Sequence, residues 1–561
     1  MLVLGISSLH RDSAAALFDG NSAIAAIEEE KLSRSSGTGG IPRQAIAGCL
    51  ELQGARLSDV TLAALADRPR EAALREAEFN LRLLFSHPRA ADWTRTLGRN
   101  FRERTQLRQL RGLLGDTPAL VYFDHHHCHA ASAFYTSGFD RALILTLDEG
   151  GEMRSGQISL GENDEIHPVR SLRFPNSLGW FYSRVTELLG LRPHHDEHKV
   201  QWLSKDGQPE YLSALRKLFS RDSAGMPVLN QRYFASGPDH RGTFSAQVYR
   251  ELQIQPGNLP RNAALRAALA RSAQALLEEL VLEIAERFRA QTGTDSLCVA
   301  GGVFLNVLLV RALETRSSFR RIHVQPVAGN AGTAMGAAFL ARKQVSGNSG
   351  QAPLDDLALG PGFTAEQIKT VLDNCKLIYK FMPGEDQLIA ETAQFLASGK
   401  IVAWCQGRTE FGHRALGNRS ILASPFCEYV VENVNQYIKH REDFHPFALS
   451  VPAERAAEFF DCTANCRFMA SLGTLKKPLA SLERFTFNGR SLRIHTVEQR
   501  VNPRFWKLLH KFGEPAPAPV LVNTSFNLFG EPLVSDPRDA VRSFYCAGID
   551  ALALGNFFVL K

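Results

Sequence analysis

Leu2-Val3-Leu4-Gly5-Ile6-Ser7-Ser8-Leu9-His10-Arg11-Asp12-Ser13-Ala14-Ala15-Ala16-Leu17-Phe18-Asp19-Gly20-Asn21 opens the chain. Apolar Leu2 to Ile6 reads as a strand, Ser7 to Ser13 as a polar turn, and Ala14 to Phe18 as a second strand. Asp19-Gly20-Asn21 is a tight hairpin turn, and Ala23 to Glu28 returns as a third strand. The charges of Glu28-Glu29-Glu30-Lys31 read as a solvated edge that ends this meander. Two later stretches extend the pattern. Ser296 to Ala300 is a strand that runs into Gly301-Gly302-Val303-Phe304-Leu305-Asn306 and a helix, and Ile322 to Val327 runs into Ala328-Gly329-Asn330-Ala331-Gly332 and another. A glycine turn between strand and helix lets backbone approach a nucleotide and aims helix N–H groups at an anion. Together the three stretches predict a two-lobed α/β nucleotide-binding domain, with Gly301, Gly302, Asn306 and Gly329 near the ligand.

Between the lobes lies Asp124-His125-His126-His127-Cys128-His129-Ala130-Ala131-Ser132-Ala133, the opening of a helix. Residues four apart share a helix face, so His125 and His129 point the same way, whereas His126 and His127 do not. Two imidazoles at that spacing suit a metal. His126 stands where a zinc peptidase carries its glutamate base, which argues against that class. The apolar run Ala142 to Leu147 ends in Asp148, the natural third ligand; the competing reading is a hydrogen-bonded histidine cluster.

With 561 residues the chain is too long for one core. A hydrophobic share of 44%, a charged share of 22% and a net charge of +6 describe an ordinary globular protein, with no argument for nucleic acid. No apolar run approaches the roughly 18 residues of a membrane span, and the N-terminus enters a strand without a signal-peptide pattern. The nine scattered cysteines, none in a C-x-x-C pair, suit reduced thiols, so a cytoplasmic enzyme is expected. Residues 66 to 113 are Arg-rich and helical in pattern (Arg75, Arg82, Arg89 and Arg95 among them), which reads as solvated helix faces. A long helix is expected from Asn262 to Gln291. Val345 to Pro353 is the clearest linker, giving domains 1–345 and 354–561 joined by 346–353.

In the second domain the strand Ile401 to Cys405 leads into Gln406-Gly407-Arg408-Thr409-Glu410-Phe411-Gly412-His413-Arg414-Ala415-Leu416-Gly417-Asn418-Arg419-Ser420. Glycines give backbone access and arginines give bidentate contacts, so this loop reads as an oxyanion cradle. Lys439-His440-Arg441-Glu442 adds positive charge, and Asn523-Thr524-Ser525-Phe526-Asn527 is expected as a polar loop after the strand Pro519 to Val522.

His-x-x-x-His-Ala-Ala-Ser-Ala, the strand ending in Asp148, Ala-Gly-Gly-Val-x-Leu-Asn, Gly-x-Arg-Ala-Leu-Gly-x-Arg-Ser, Lys-x-Arg-Glu and Asn-Thr-Ser-Phe-Asn occur in that order. In this combination the chain resembles the NodU/CmcH-type O-carbamoyltransferases of nodulation factors and antibiotics. The resemblance implies an N-terminal domain of the actin-like ATPase superfamily, to which sugar kinases belong, and a YrdC-like C-terminal α/β domain. It implies that the C-terminal domain makes carbamoyl-AMP from ATP and carbamoyl phosphate, with Mg(2+) admitted beside the nucleotide. The N-terminal domain, holding Fe(2+) or another divalent metal, then passes the carbamoyl group to a small-molecule acceptor, by expectation a natural-product hydroxyl.

Carried over residue by residue, His125, His129, Asp148 and Asn330 hold the metal; His10, Arg414 and Lys439 are catalytic. Asp12, Lys199, Gly301, Gly302, Asn306, Gly329, Arg419, Arg441, Asn523 and Ser525 bind substrate or nucleotide. His10 is expected to take the acceptor proton as a mostly neutral ring, given an ordinary histidine pKa of about 6.5. The chain departs from the family pattern at Asn330 (often Asp), at Gln201-Trp202 (often Met-Gly) and at His445 (often Arg). The rivals are a small-molecule kinase of the same superfamily, a non-haem iron oxygenase and an ATP-dependent scaffold. Acceptor identity and oligomeric state stay open, a homodimer among the options.

Overall fold

The computed structural model describes residues 1–37, 39–86, 93–234, 243–255, 262–477, 479–487 and 489–561. Among them the N-terminal domain holds two five-stranded sheets. In the first, strand Leu2–Ser7 pairs antiparallel with Ala14–Asp19, which pairs antiparallel with Ser22–Glu28; on its other side it pairs parallel with Val60–Leu65, itself parallel to Ala119–Tyr122. In the second, Arg141–Gly151 pairs antiparallel with Arg154–Glu162, then Glu165–Arg173, and parallel with Ser296–Ala300, then Arg321–Val324. Order and sense are the same in both. The N-terminal domain is a duplication, the two-lobed architecture expected of an actin-like domain.

Helix His125–Phe134 follows the first sheet and helix Thr333–Ser346 follows the second. Two glycines let these elements touch. A Cβ on Gly336 would lie 1.9 Å from the Cys128 carbonyl oxygen, and one on Gly5 would lie 1.9 Å from that of Ala334. The helix that completes the second lobe therefore packs on the first strand of the first lobe, and the strand ends of both lobes meet in one cleft. The long helix spans Ala263–Thr292, with Asn262 as its N-cap and Gly293 left-handed after it. In the Arg-rich region, helices Pro69–Ser86 and Trp93–Leu114 form. Arg68 and Arg75 pair with Glu71 on a half-exposed face, while Arg89 lies outside the described residues.

The C-terminal domain is built on a ten-stranded mixed sheet among the described residues. Strand Val402–Cys405 is at its centre, antiparallel to Arg419–Ala423, so the glycine-rich loop 406–418 connects two neighbouring central strands. Asn523 and Ser525 lie within strand Leu521–Ser525, not in a loop beyond it, because Thr524 pairs with Ile421 and Asn523 with Leu422.

Two expectations change. The segment after Ser346 does not hang free: Ala352 and Leu354 donate backbone bonds to Tyr135 and Thr136 (3.0 and 3.1 Å), and Ser349 bonds Asp164. Glu28 and Lys31 are buried, not a solvated edge, because loop 406–418 of the C-terminal domain covers them, and Glu29 is buried where it accepts the backbone N–H groups of Gln44 and Ala45. Phe411 and Phe468 complete a core shared with the N-terminal domain. All nine cysteines are free. No described helix is long and apolar enough to cross a membrane.

Candidate functional site

The first centre grows from the His helix. Asp124 is its N-cap and accepts the backbone N–H of His127 at 3.1 Å, which fixes where the helix starts. One turn separates His125 and His129, and their rings lie 4.8 Å apart. Asp148, at the end of the central strand of the second sheet, places Oδ2 3.4 Å from His125 Nε2 and 3.3 Å from His129 Nε2. Room for this carboxylate comes from the double glycine. A Cβ on Gly302 would stand 3.0 Å from Asp148 Oδ1, and one on Gly301, at φ +99°, would stand 2.1 Å from the Leu147 carbonyl oxygen. Gly301 and Gly302 thus make room for the strand that carries Asp148.

Burial by itself raises the Asp148 pKa, but hydrogen bonds from His125 and His129 hold it well below the usual carboxylate range. Burial lowers His129. An ionised carboxylate and a neutral imidazole are what a divalent metal needs. The Nδ1 atoms of His125 and His129 are buried without hydrogen-bond partners, and so is Asn330 Oδ1. The two imidazoles and the carboxylate, their ligand atoms within 4.8 Å of one another, fit a divalent ion. His126 faces the core at Thr146 and is pushed down to about 3 by burial, in line with its expected exclusion from the site.

His10 sits in the first hairpin, between Leu9 and Asp12 of positive φ, with its ring 4.9 Å from that of His125. Its Nε2 lies 2.8 Å from Asp67 Oδ1, and the same oxygen lies 3.9 Å from His125 Nδ1. Burial works against the charged ring, yet the Asp67 charge and hydrogen bond prevail and raise the pKa to about 9. In the absence of a bound cation Asp67 thus favours the protonated ring over the neutral one of an ordinary histidine. Asp67 was missed in the sequence, although it follows an apolar strand, Val60–Leu65, much as Asp148 follows its own. Asp12 is exposed, and Arg11 donates to the carbonyl of His194, whose ring meets Glu149 at 2.7 Å.

The second centre is cationic. Arg414 has no hydrogen-bond or ion-pair partner among the described residues, and burial lowers it to about 10. Arg441 donates Nε to Asn435 at 2.7 Å and lies over the Phe447 ring, leaving one terminal nitrogen buried and unpartnered. Arg493 stacks 4.7 Å from the Trp202 ring centre, with Nε unpartnered. Burial, then the charges of Arg414 and Arg441, hold Arg493 well below the ordinary guanidinium range. His413, solvent-exposed on the same loop, is held below the ordinary histidine range by partial desolvation and by the neighbouring charges of Arg414, Arg493, Lys31 and His198. Three guanidiniums repelling one another with little counter-charge make an anion site. Arg493 and His413 were not picked out in the sequence; Arg493 lies in an alternating strand, Ser491–Val497, whose pattern reads as plain sheet.

Other expected residues are engaged elsewhere. Arg419 is 1% exposed and donates through its terminal nitrogens to the carbonyls of Gln406, Asn418, Pro361 and Gly407, which shapes the loop and leaves Nε buried without a partner. Lys439 is buried against Ser525 and Asn527, with Asn527 Oδ1 at 2.6 Å, and burial followed by the Arg441 charge holds it well below the usual lysine range. Its ammonium is engaged at the end of strand Leu521–Ser525. Asn306 is an N-cap to Leu309 and bonds Gln274 at 2.7 Å, which uses its amide. Lys199 pairs with Glu442 of the other domain at 2.9 Å and with Asp196 at 3.3 Å. Gly329 lies in extended backbone against Leu305. Asn523 donates to the Ala415 carbonyl at 3.2 Å and to Ser450, leaving Oδ1 buried and unpartnered beside the arginine loop.

Comparison with known proteins matches two family profiles: "Carbamoyltransferase N-terminus" over residues 2–339 and "Carbamoyltransferase C-terminus" over 393–561. The chain is 33% identical to the uncharacterized protein sll1178 of Synechocystis over 100% of this chain and 96% of that one. It is 31% identical to the nodulation protein NolNO of Sinorhizobium fredii, over 98% and 79%. The 3'-hydroxymethylcephem-O-carbamoyltransferase of Amycolatopsis lactamdurans is 30% identical over 53% and 55%. A crystal structure of HypF from T. kodakarensis aligns with 62% of this chain and 48% of its own at 14% identity, with a TM-score of 0.31.

Proposed function

The chain belongs to the carbamoyltransferase family, and on that premise we propose that it works in two steps, activation in the C-terminal domain and transfer in the N-terminal domain. The observation that carries the reading is the group Arg414, Arg441 and Arg493, a cluster of positive charge that phosphate-bearing substrates complete. In the first step carbamoyl phosphate loses its phosphate to water, and the carbamate oxygen attacks the α-phosphorus of ATP. The bond to pyrophosphate breaks, giving carbamoyl-AMP, pyrophosphate and phosphate. Arg414 and Arg493 neutralise the charge gathering on the leaving pyrophosphate.

In the second step an acceptor hydroxyl attacks the carbonyl carbon of carbamoyl-AMP, and AMP leaves. His125, His129 and Asp148, with Asn330 as a weak fourth donor, would hold a divalent ion, which supplies a positive centre for a phosphate or carbonyl oxygen. His10, its ring 4.9 Å from that of His125, would lie in that positive field, which opposes its protonation. His10, oriented by Asp67, then takes the hydroxyl proton. The acceptor class is a hydroxyl on a small natural product, as the hydroxymethyl group in the name of the cephem relative suggests. The enzyme acts in the cytoplasm, where ATP and carbamoyl phosphate are made.

The product of ATP tests this. Carbamoyl-phosphate-dependent release of AMP and pyrophosphate is expected; ADP instead would mean a kinase and would overturn the reading.

A further inference from the structure

We infer that the segment from Glu28 to Ser36, part of the N-terminal domain, positions the activating loops of the C-terminal domain, with Lys31 acting through Arg414. The inference rests on the anion-cleft reading above. Lys31 is 1% exposed and makes two donated hydrogen bonds and one ion pair. Its Nζ lies 2.7 Å from the Glu410 carbonyl oxygen, 2.6 Å from that of Gly412 and 2.8 Å from Glu28 Oε2. Glu28 Oε1 accepts the backbone N–H of Gly412 at 2.7 Å. The residue before Arg414's neighbour His413 is therefore gripped through both its N–H and its C=O.

The other end of the loop is tied to the same point. Glu410 Oε1 accepts the backbone N–H groups of Leu416, Asn418 and Arg419 at 2.8, 2.9 and 3.1 Å. Arg414 sits between these two anchorages, with no side-chain partner of its own among the described residues. What aims its guanidinium is the backbone, and that backbone is held by Lys31.

The segment continues past the short helix Glu29–Ser33 to the second loop. Arg34 donates to the carbonyls of Pro532 and Leu533 and meets Asp539 at 3.3 Å, and Ser36 Oγ donates to the Gly530 carbonyl at 2.8 Å. That loop extends the strand that carries Asn523 and Ser525. In the other direction, Ser8 Oγ donates to the Gly40 carbonyl at 2.8 Å, and a Cβ on Gly39 would come 2.7 Å from the His10 carbonyl oxygen. One stretch thus spans from the His10 turn to both loops of the other domain. Removing the Lys31 ammonium strands the buried Glu28 carboxylate, and the loop must shift to solvate it. A shift near 1 Å is enough to misplace a clamp.

Binding of inorganic pyrophosphate to the full chain, measured by calorimetry, tests the inference without depending on turnover. Lys31→Met should weaken binding about tenfold or more, Glu28→Gln about threefold or more, and Lys31→Arg should restore most of it. In an Arg414→Ala background, Lys31→Met should cost nothing further, which a merely stabilising role would not produce. Unchanged affinity in whichever of K31M and E28Q folds, judged by circular dichroism, or additive losses with Arg414→Ala, would overturn the inference alone. Failure of the wild-type chain to bind pyrophosphate would overturn the anion-cleft reading and the inference with it.

Discussion

Asp67 Oδ1 stands 2.8 Å from Nε2 of His10 and 3.9 Å from Nδ1 of His125, so a single carboxylate faces two rings of one cleft. It hydrogen-bonds the His10 ring and places negative charge beside His125, whose Nε2 faces Asp148.

That pairing sets a pH dependence. His10 is raised from 6.5 to about 9, so its contribution to stability is fully present below pH 6.5 and is lost as pH rises through 9. In metal-free protein the unfolding free energy of the wild type should exceed that of Asp67→Asn below pH 6.5, by on the order of 2 kcal/mol after discounting the partial exposure of the ring. The gap should close by about pH 10. A gap independent of pH would show that Asp67 acts by packing alone.

His10→Asn should leave pyrophosphate release near the wild-type rate while carbamoylated product disappears. Chromatography of product beside a pyrophosphate assay separates the two steps. Normal product formation would remove His10 from the transfer step.

Arg414→Ala should lower carbamoyl-phosphate-dependent pyrophosphate release by about a hundredfold or more, the effect of losing one charged clamp. Metal content should stay at the wild-type level, because the His125 centre belongs to the other domain. Near-normal release would show that Arg441 and Arg493 suffice.

Under anaerobic iron(II), His129→Ala should lose bound metal, and Asn330→Asp should bind it more tightly by replacing an amide oxygen with a carboxylate. Metal stoichiometry by elemental analysis is the measurement. Equal affinity in Asn330→Asp and wild type would place residue 330 outside the ligand set.

Gly336→Ala should lower stability by about 2 kcal/mol or more, since its Cβ would sit 1.9 Å from the Cys128 carbonyl oxygen, helix against helix. A denaturant midpoint within error of the wild type would contradict the close approach.

The opening meander, both glycine turns and the trio His125, His129 and Asp148 were legible from residue order alone, because strand ends and helical spacing are local properties. Asp67 was not, since its meaning depends on a parallel pairing that brings it beside His10, 57 positions away in the chain. Arg419 and Lys439 look like phosphate ligands by residue type. What engages them is a set of main-chain carbonyls, and carbonyls leave no mark in a sequence. The charges of Glu28 and Lys31 misled for a related reason: local pattern says surface, and only the docking of a distant loop makes it interior.

The repeated sheet order has a geometric consequence. Leu2–Ser7 and Arg141–Gly151 occupy equivalent places in two sheets of one topology, and the turn after the first carries His10 while the second carries Asp148 near its end. Equivalent strands thus deliver one polar side chain each from opposite sides of a single opening, so a substitution on one side leaves the scaffold of the other intact.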